Sequence, residues 1–163
     1  MRKYIKYLVL VIFSLTPLIW FWGKGKILIT GLDTNFPLDP LVWFYRRLFV
    51  WNGALNGGID FSTSTSGLFF HLIQTLPHLA GFDLKTVELI SLVFWFGAIV
   101  FSAYILALVI TPKHFLARII FVVIYSFNIY LFNTWENIKV ANLALVVSLP
   151  LFLTIAHLRI YKL

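Results

Sequence analysis

VELISLVFWFGAIVFSAYILALVI, residues 87–110, is the stretch whose reading decides the fold. After Glu88 it carries no charged residue, and it is long enough for a helix to cross the ~30 Å hydrocarbon core of a bilayer, which takes roughly 20 residues. Working outward, three more runs have the same character: about residues 4–22, 116–132 and 140–158. The composition agrees, since 61% hydrophobic and 12% charged residues leave too little polar material to cover a water-soluble globule of 163 residues. The expected fold is an all-α membrane protein, a single domain over 1–163. It has about four transmembrane helices, with one or two interfacial helices in a long first extracytoplasmic loop, about residues 23–86.

The first run begins with Arg2, Lys3 and Lys6, as a secretory signal would, but Trp20-Phe21-Trp22-Gly23 offers no small-residue cleavage pattern. It reads as a retained helix anchored by tryptophan at the interface. Pro17 in this run and Pro150 in the fourth are expected to loosen their helices where neighbours re-satisfy the backbone. A fifth run, 67–82, is short and contains His71, Gln74, Pro77 and His78.

Charge arbitrates its placement. If 67–82 does not span, the inner side holds seven of the thirteen basic residues, Arg2, Lys3, Lys6, Lys113, Arg118, Arg159 and Lys162, and no acid. If it does span, Arg2, Lys3, Lys6, Lys85 and Lys139 are inside, five of the thirteen, and the outer side gains the excess. The positive-inside rule favours the first arrangement, with both ends of the chain in the cytoplasm of a plasma-membrane protein. The charge of +7 is thereby explained without nucleic acid as a partner. Residues 67–82 become a helix lying in the outer interface or dipping into the membrane, with Ser66 or Thr65 as its cap. Gln74 and His78 share one face with His71, while Phe69, Phe70, Leu72, Ile73 and Leu76 supply the apolar surface.

The outer loop carries the chemistry. Gly31-Leu32-Asp33-Thr34-Asn35-Phe36-Pro37-Leu38-Asp39-Pro40 places two of the chain's six acids at a membrane surface. Pro40 suits the first position of a helix running to Trp51, which makes Asp39 a natural N-cap as well as a candidate catalytic carboxylate. Asp33 is a candidate base or an Asx-turn residue. In the helix from Pro40, Trp43 and Tyr45 belong at headgroup depth, and Arg46 and Arg47 either grip the phosphate of a lipid-linked substrate or snorkel to phospholipid. Asn52-Gly53 and Asn56-Gly57-Gly58 mark tight turns.

Other chemistry is sparse. There is no cysteine, so no thiolate nucleophile or ligand, and the four histidines lack metal-ligand spacing. No phosphate-cradling glycine loop or nucleophile elbow is present. Asn128, Asn133, Asn137 and Asn142 cluster with Glu136 around Trp135, where they either complete a site or bond between helices.

Gly31-Leu32-Asp33-Thr34-Asn35, then Leu38-Asp39-Pro40, an aromatic helix, and a return from Gly57-Gly58 to Gly67-Leu68-Phe69-Phe70 resemble the N-terminal part of GT-C type membrane glycosyltransferases. The resemblance is closest to the arabinofuranosyltransferases that act on cell-envelope glycans. It implies transfer of a sugar from a polyprenyl-phosphate donor to a glycan acceptor at the outer face of the membrane. Asp33 would be the catalytic carboxylate and Asp39 a second candidate. The substrate-binding positions would be Asn35, Trp43, Arg46, Arg47, His71 and Trp135. The sequence requires no cofactor, and the divalent metal used by some of the superfamily is neither demanded nor excluded. Such enzymes have more helices than four, so the chain is expected to be the N-terminal portion of a longer module. The competing class is a non-catalytic membrane subunit or transporter fragment whose outer loop binds a partner, and membrane lipid is an expected partner in either case.

Overall fold

A computed structural model of the chain describes residues 2–22, 36–53, 57–60, 67–131 and 140–160. Among the described residues it is helical apart from connecting turns and one short β-ladder. In chain order the elements are α1 (Arg2–Ser14), α2 (Thr16–Trp22), α3 (Pro40–Arg47), β1 (Trp51–Asn52), β2 (Ile59–Asp60), α4 (Leu68–Leu79), α5 (Leu84–Ile110), α6 (Phe115–Ser126) and α7 (Val140–Ile160). Among the described residues, two helices are long and apolar enough to cross a membrane: α5, and α7 over Asn142–Ile160. The contacts divide the chain within α5. One unit holds α1, α2 and everything from Leu92 onward, and the other holds α3, the ladder, α4 and the start of α5 to Ser91.

In the first unit, Leu10, Phe96, Val100, Ala103, Tyr104 and Val122 form a buried core joining α1, α5 and α6. Phe127 closes one end of it, edge-on to both Phe13 (centroids 6.4 Å apart) and Phe96 (5.5 Å). Gly97 lets α1 approach α5, since a Cβ there would already touch the Ser14 Cβ at 3.4 Å. The far faces are apolar too: Phe94, Phe101, Leu145, Leu149, Phe152 and Ile155 are all exposed. A helix that is hydrophobic all round needs apolar surroundings on every side.

The prolines show how the backbone answers such surroundings. Pro17 has no N–H for the carbonyl of Phe13, and the Thr16 hydroxyl donates to that carbonyl instead, at 2.7 Å. Pro150 likewise leaves the carbonyl of Val146 without its helical donor, and the Tyr125 hydroxyl from α6 takes it at 2.7 Å. Tyr125→Phe is therefore expected to cost about 1 kcal/mol, while the same change in a Pro150→Ala background, where the N–H is restored, should cost little. A double-mutant cycle of unfolding in detergent micelles checks this, and an equal cost in both backgrounds would refute the account.

Several expectations are corrected. The run 4–22 is two helices rather than one, because the chain breaks at Leu15, just ahead of Pro17. The helix from Pro40 ends at Arg47 rather than Trp51, with Leu48 as its C-cap, and Trp51 enters β1. There Gly57 (φ 78) and Gly58 (φ 111) make the turn back to β2 that only glycine adopts freely. α4 is capped at Gly67 without a side-chain bond. The polar candidates Thr65 and Ser66 lie outside the described residues. Within 116–132 the regular helix α6 ends at Ser126. Asn128 closes it by donating to the carbonyl of Tyr125 (2.6 Å), and its Oδ1 accepts from the N–H of Leu131 (2.9 Å). Among the described residues, Asn128 thus bonds within its own chain segment.

Candidate functional site

The second unit is built around the packing of α3 on α4. Asp39 caps α3, its Oδ1 accepting from the N–H of Val42 at 2.9 Å, and Pro40 occupies the first helical position as its fixed φ prefers. The carbonyl of Pro40 accepts from the Thr75 hydroxyl on α4 at 3.1 Å. The same hydroxyl lies 2.7 Å from the carbonyl of His71, so one side chain ties the start of α3 to the middle of α4.

The polarity of α4 is inverted relative to a helix on a water-soluble protein. Its buried residues are His71, Gln74 and Thr75, while Phe69, Leu72, Leu76 and Leu79 are exposed. On α3, Leu41, Val42 and Tyr45 are exposed in the same way. Polar groups face inward between the helices, and hydrocarbon faces outward.

Within that seam Trp43 meets the His71 ring edge-on, with centroids 6.4 Å apart at 74°. The Arg47 guanidinium lies over the Trp43 ring, 5.3 Å from its centroid, a cation–π geometry. Gln74 Oε1 stands 3.1 Å from His71 Nδ1. A carbonyl oxygen only accepts, so Nδ1 carries the hydrogen and Nε2 remains an acceptor. Burial, and then the Arg47 charge, hold the His71 imidazole down at about 4, against the raising effect of its bond to Gln74. Burial also lowers the pKa of Arg47, which stays cationic. The indole N–H of Trp43 is buried and finds no acceptor among the described residues. A buried donor of this kind calls for a partner.

The shift at His71 sets a pH dependence. The unfolded imidazole takes a proton near 6.5 and the folded one only near 4, so the unfolded state binds more protons between these values. Stability is complete above pH 6.5 and falls as the pH drops toward 4, by about 1–3 kcal/mol. Amide exchange in α3 and α4 at pH 7 and at pH 4.5 reads this loss, and His71→Gln should flatten the dependence.

Of the site residues expected from sequence, Trp43, Arg47 and His71 are brought together. Arg46 is exposed on the same last turn of α3. Asp39, exposed, stands at the opposite end of this eight-residue helix, about 12 Å along its axis from the arginines. Asp33, Asn35 and Trp135 lie outside the described residues, as do Asn133, Glu136 and Asn137.

Gln74 and Thr75 are members of the seam that sequence reasoning did not single out as site residues. Glu88 is a further buried acid, 4% exposed, in the second turn of α5. Its signal was a carboxylate within an apolar run of membrane length. Among the described residues, no group of three His, Asp or Glu side chains is placed to hold a metal ion. Comparison with protein-family models, with curated proteins and with solved structures found no match.

Proposed function

We propose that the chain belongs to a GT-C type glycosyltransferase of the plasma membrane, which moves a sugar from a polyprenyl-phosphate donor to a glycan acceptor at the outer face. The observation that carries this reading is the inverted α3–α4 pair. Its apolar outside suits the outer leaflet, and its polar inside gathers Arg47, Trp43 and His71. In this reading α1 and α2 together, α5, α6 with its continuation, and α7 are the four spans. Both ends of the chain are cytoplasmic. The proline-freed carbonyls taken by Thr16 and Tyr125 support an apolar medium, where no water would satisfy them.

The lipid phosphate lies against Arg46 and Arg47, whose guanidinium forks match its oxygens, and accepts the indole N–H of Trp43. Neutral His71 adds no second charge and offers Nε2 to a sugar hydroxyl. Asp33 takes the proton of the acceptor hydroxyl as that oxygen bonds to the anomeric carbon. The bond from the anomeric carbon to the phosphate oxygen breaks, and the electron pair leaves with the lipid phosphate, whose charge the arginines stabilise.

The test is transfer from a radiolabelled polyprenyl-phosphate sugar in membranes, with Arg46→Gln and Arg47→Gln beside the parent. Each variant should raise the donor KM about tenfold or more, the double variant further, with expression unchanged. A second reading, the non-catalytic subunit whose loop docks a partner, draws on Asp39, which serves as a cap at a distance from the arginines. It prevails if the full reading frame transfers no sugar, or if both arginine variants transfer as the parent does.

A further inference from the structure

The β1–β2 ladder holds an aromatic ring that the donor site does not use. Trp51 pairs with Asp60 across the ladder, so their side chains stand on one face. Gly58, two residues before Asp60, lies on that same face, and the Trp51 indole leans diagonally over it. A Cβ at Gly58 would collide with the ring, and its φ of +111 is itself a glycine conformation. One side of the indole is thus laid against backbone, which fixes the ring, while Trp51 remains 62% exposed. Asp60, beside it, is also exposed.

Hydrocarbon is a poor occupant for this surface. An exposed acidic residue paired with Trp51, and the glycines Gly53, Gly57 and Gly58 nearby, suit a face in water. A fixed indole with an acidic residue as its cross-strand neighbour fits an amphiphilic ligand, one with C–H groups on its flat faces and hydroxyls on its rim. That description is a sugar ring: its C–H face stacks on the indole, and its hydroxyls donate to the carboxylate.

We infer that Trp51 and Asp60 form a stacking platform for a sugar of the glycan acceptor, an inference that rests on the glycosyl-transfer reading. The platform stands a few residues beyond Arg47, on the segment that continues α3, so acceptor and donor contacts come from one stretch of chain.

The experiment uses the full chain in phosphatidylcholine nanodiscs, with soluble arabinose and mannose oligosaccharides as probes and binding read by titration calorimetry. The parent should bind at least one of them. Trp51→Ala should weaken that binding about tenfold or more, Trp51→Phe less, and Asp60→Asn should weaken it with the ring retained. Where Trp51→Ala does not fold, the Trp51→Phe and Asp60→Asn affinities decide. Brominated phosphatidylcholine should quench the parent no more than it quenches Trp51→Phe. Absence of oligosaccharide binding by the parent, binding indifferent to both positions, or strong lipid quenching traced to Trp51 would each overturn the platform, the last making it a lipid anchor. Sugar transfer with binding indifferent to Trp51 overturns the platform and leaves the transferase reading standing. Binding through Trp51 without transfer keeps the platform and removes that reading.

Discussion

Asp33→Asn is expected to lower glycosyl transfer by between about a hundredfold and ten-thousandfold, the range that loss of a positioned general base produces. Asparagine keeps the size and most of the turn-forming capacity of the aspartate, so a merely structural Asx role would survive the change. A base that must take a proton would not. The variant should leave the donor KM near the parent value, since the proposed phosphate contacts are those of Arg46 and Arg47, and its loss should fall on kcat. Asp39→Asn is the control. Asparagine also caps helices well, so if Asp39 serves only the start of α3 this variant should transfer sugar within a few-fold of the parent. If Asp33→Asn keeps full activity while Asp39→Asn loses it, the assignment of the two carboxylates is reversed.

The largest expected effect on stability lies elsewhere. Arg118, in the first turn of α6, is 8% exposed and reaches back to the end of α5. Its Nε donates to the carbonyl of Thr111 at 2.9 Å, and a terminal nitrogen donates to the carbonyl of Pro112. These carbonyls follow the last turn of α5, where the helix dipole is negative and no further N–H is available. Arg118→Met, which keeps the length of the side chain, should destabilise the protein by about 2–4 kcal/mol. Arg118→Lys should recover only part of this, because one ammonium cannot span both acceptors as the fork does. Unfolding in mixed micelles measures the loss. A cost below about 0.5 kcal/mol for Arg118→Met would show that water serves these carbonyls equally well.

The long helices were the legible part of the fold, since an apolar run such as 87–110 admits few alternatives. Asp39 and Pro40 announced the start of α3 because capping is local chemistry. The end of α3 was not legible. Leu48, Phe49, Val50 and Trp51 continue a helical composition, and the chain leaves the helix to make a ladder specified by glycines several residues later. The three-residue spacing of His71 and Gln74 placed them on one face, but not which way that face turns. An amphipathic helix next to a membrane can be sided either way, and Thr75 reaching the carbonyl of Pro40 decides it. Proline positions were visible in the sequence, whereas the hydroxyls that compensate them needed the third dimension in one case. Thr16 neighbours Pro17, but Tyr125 and Pro150 are 25 residues apart.

That last contrast bears on biogenesis. The bond from Thr16 to Phe13 closes within three residues, so in the proposed four-span reading the first segment can carry this compensation with it as it enters the bilayer. The last segment cannot. In that reading, until α6 is alongside, the carbonyl of Val146 meets lipid without the donor it has in the finished fold, and the Tyr125 hydroxyl without its acceptor. Each of the two therefore gains from leaving the insertion machinery in the company of the other. Tyr125→Phe should then lengthen the time that α7 stays exposed to the machinery, apart from anything it does to the finished fold.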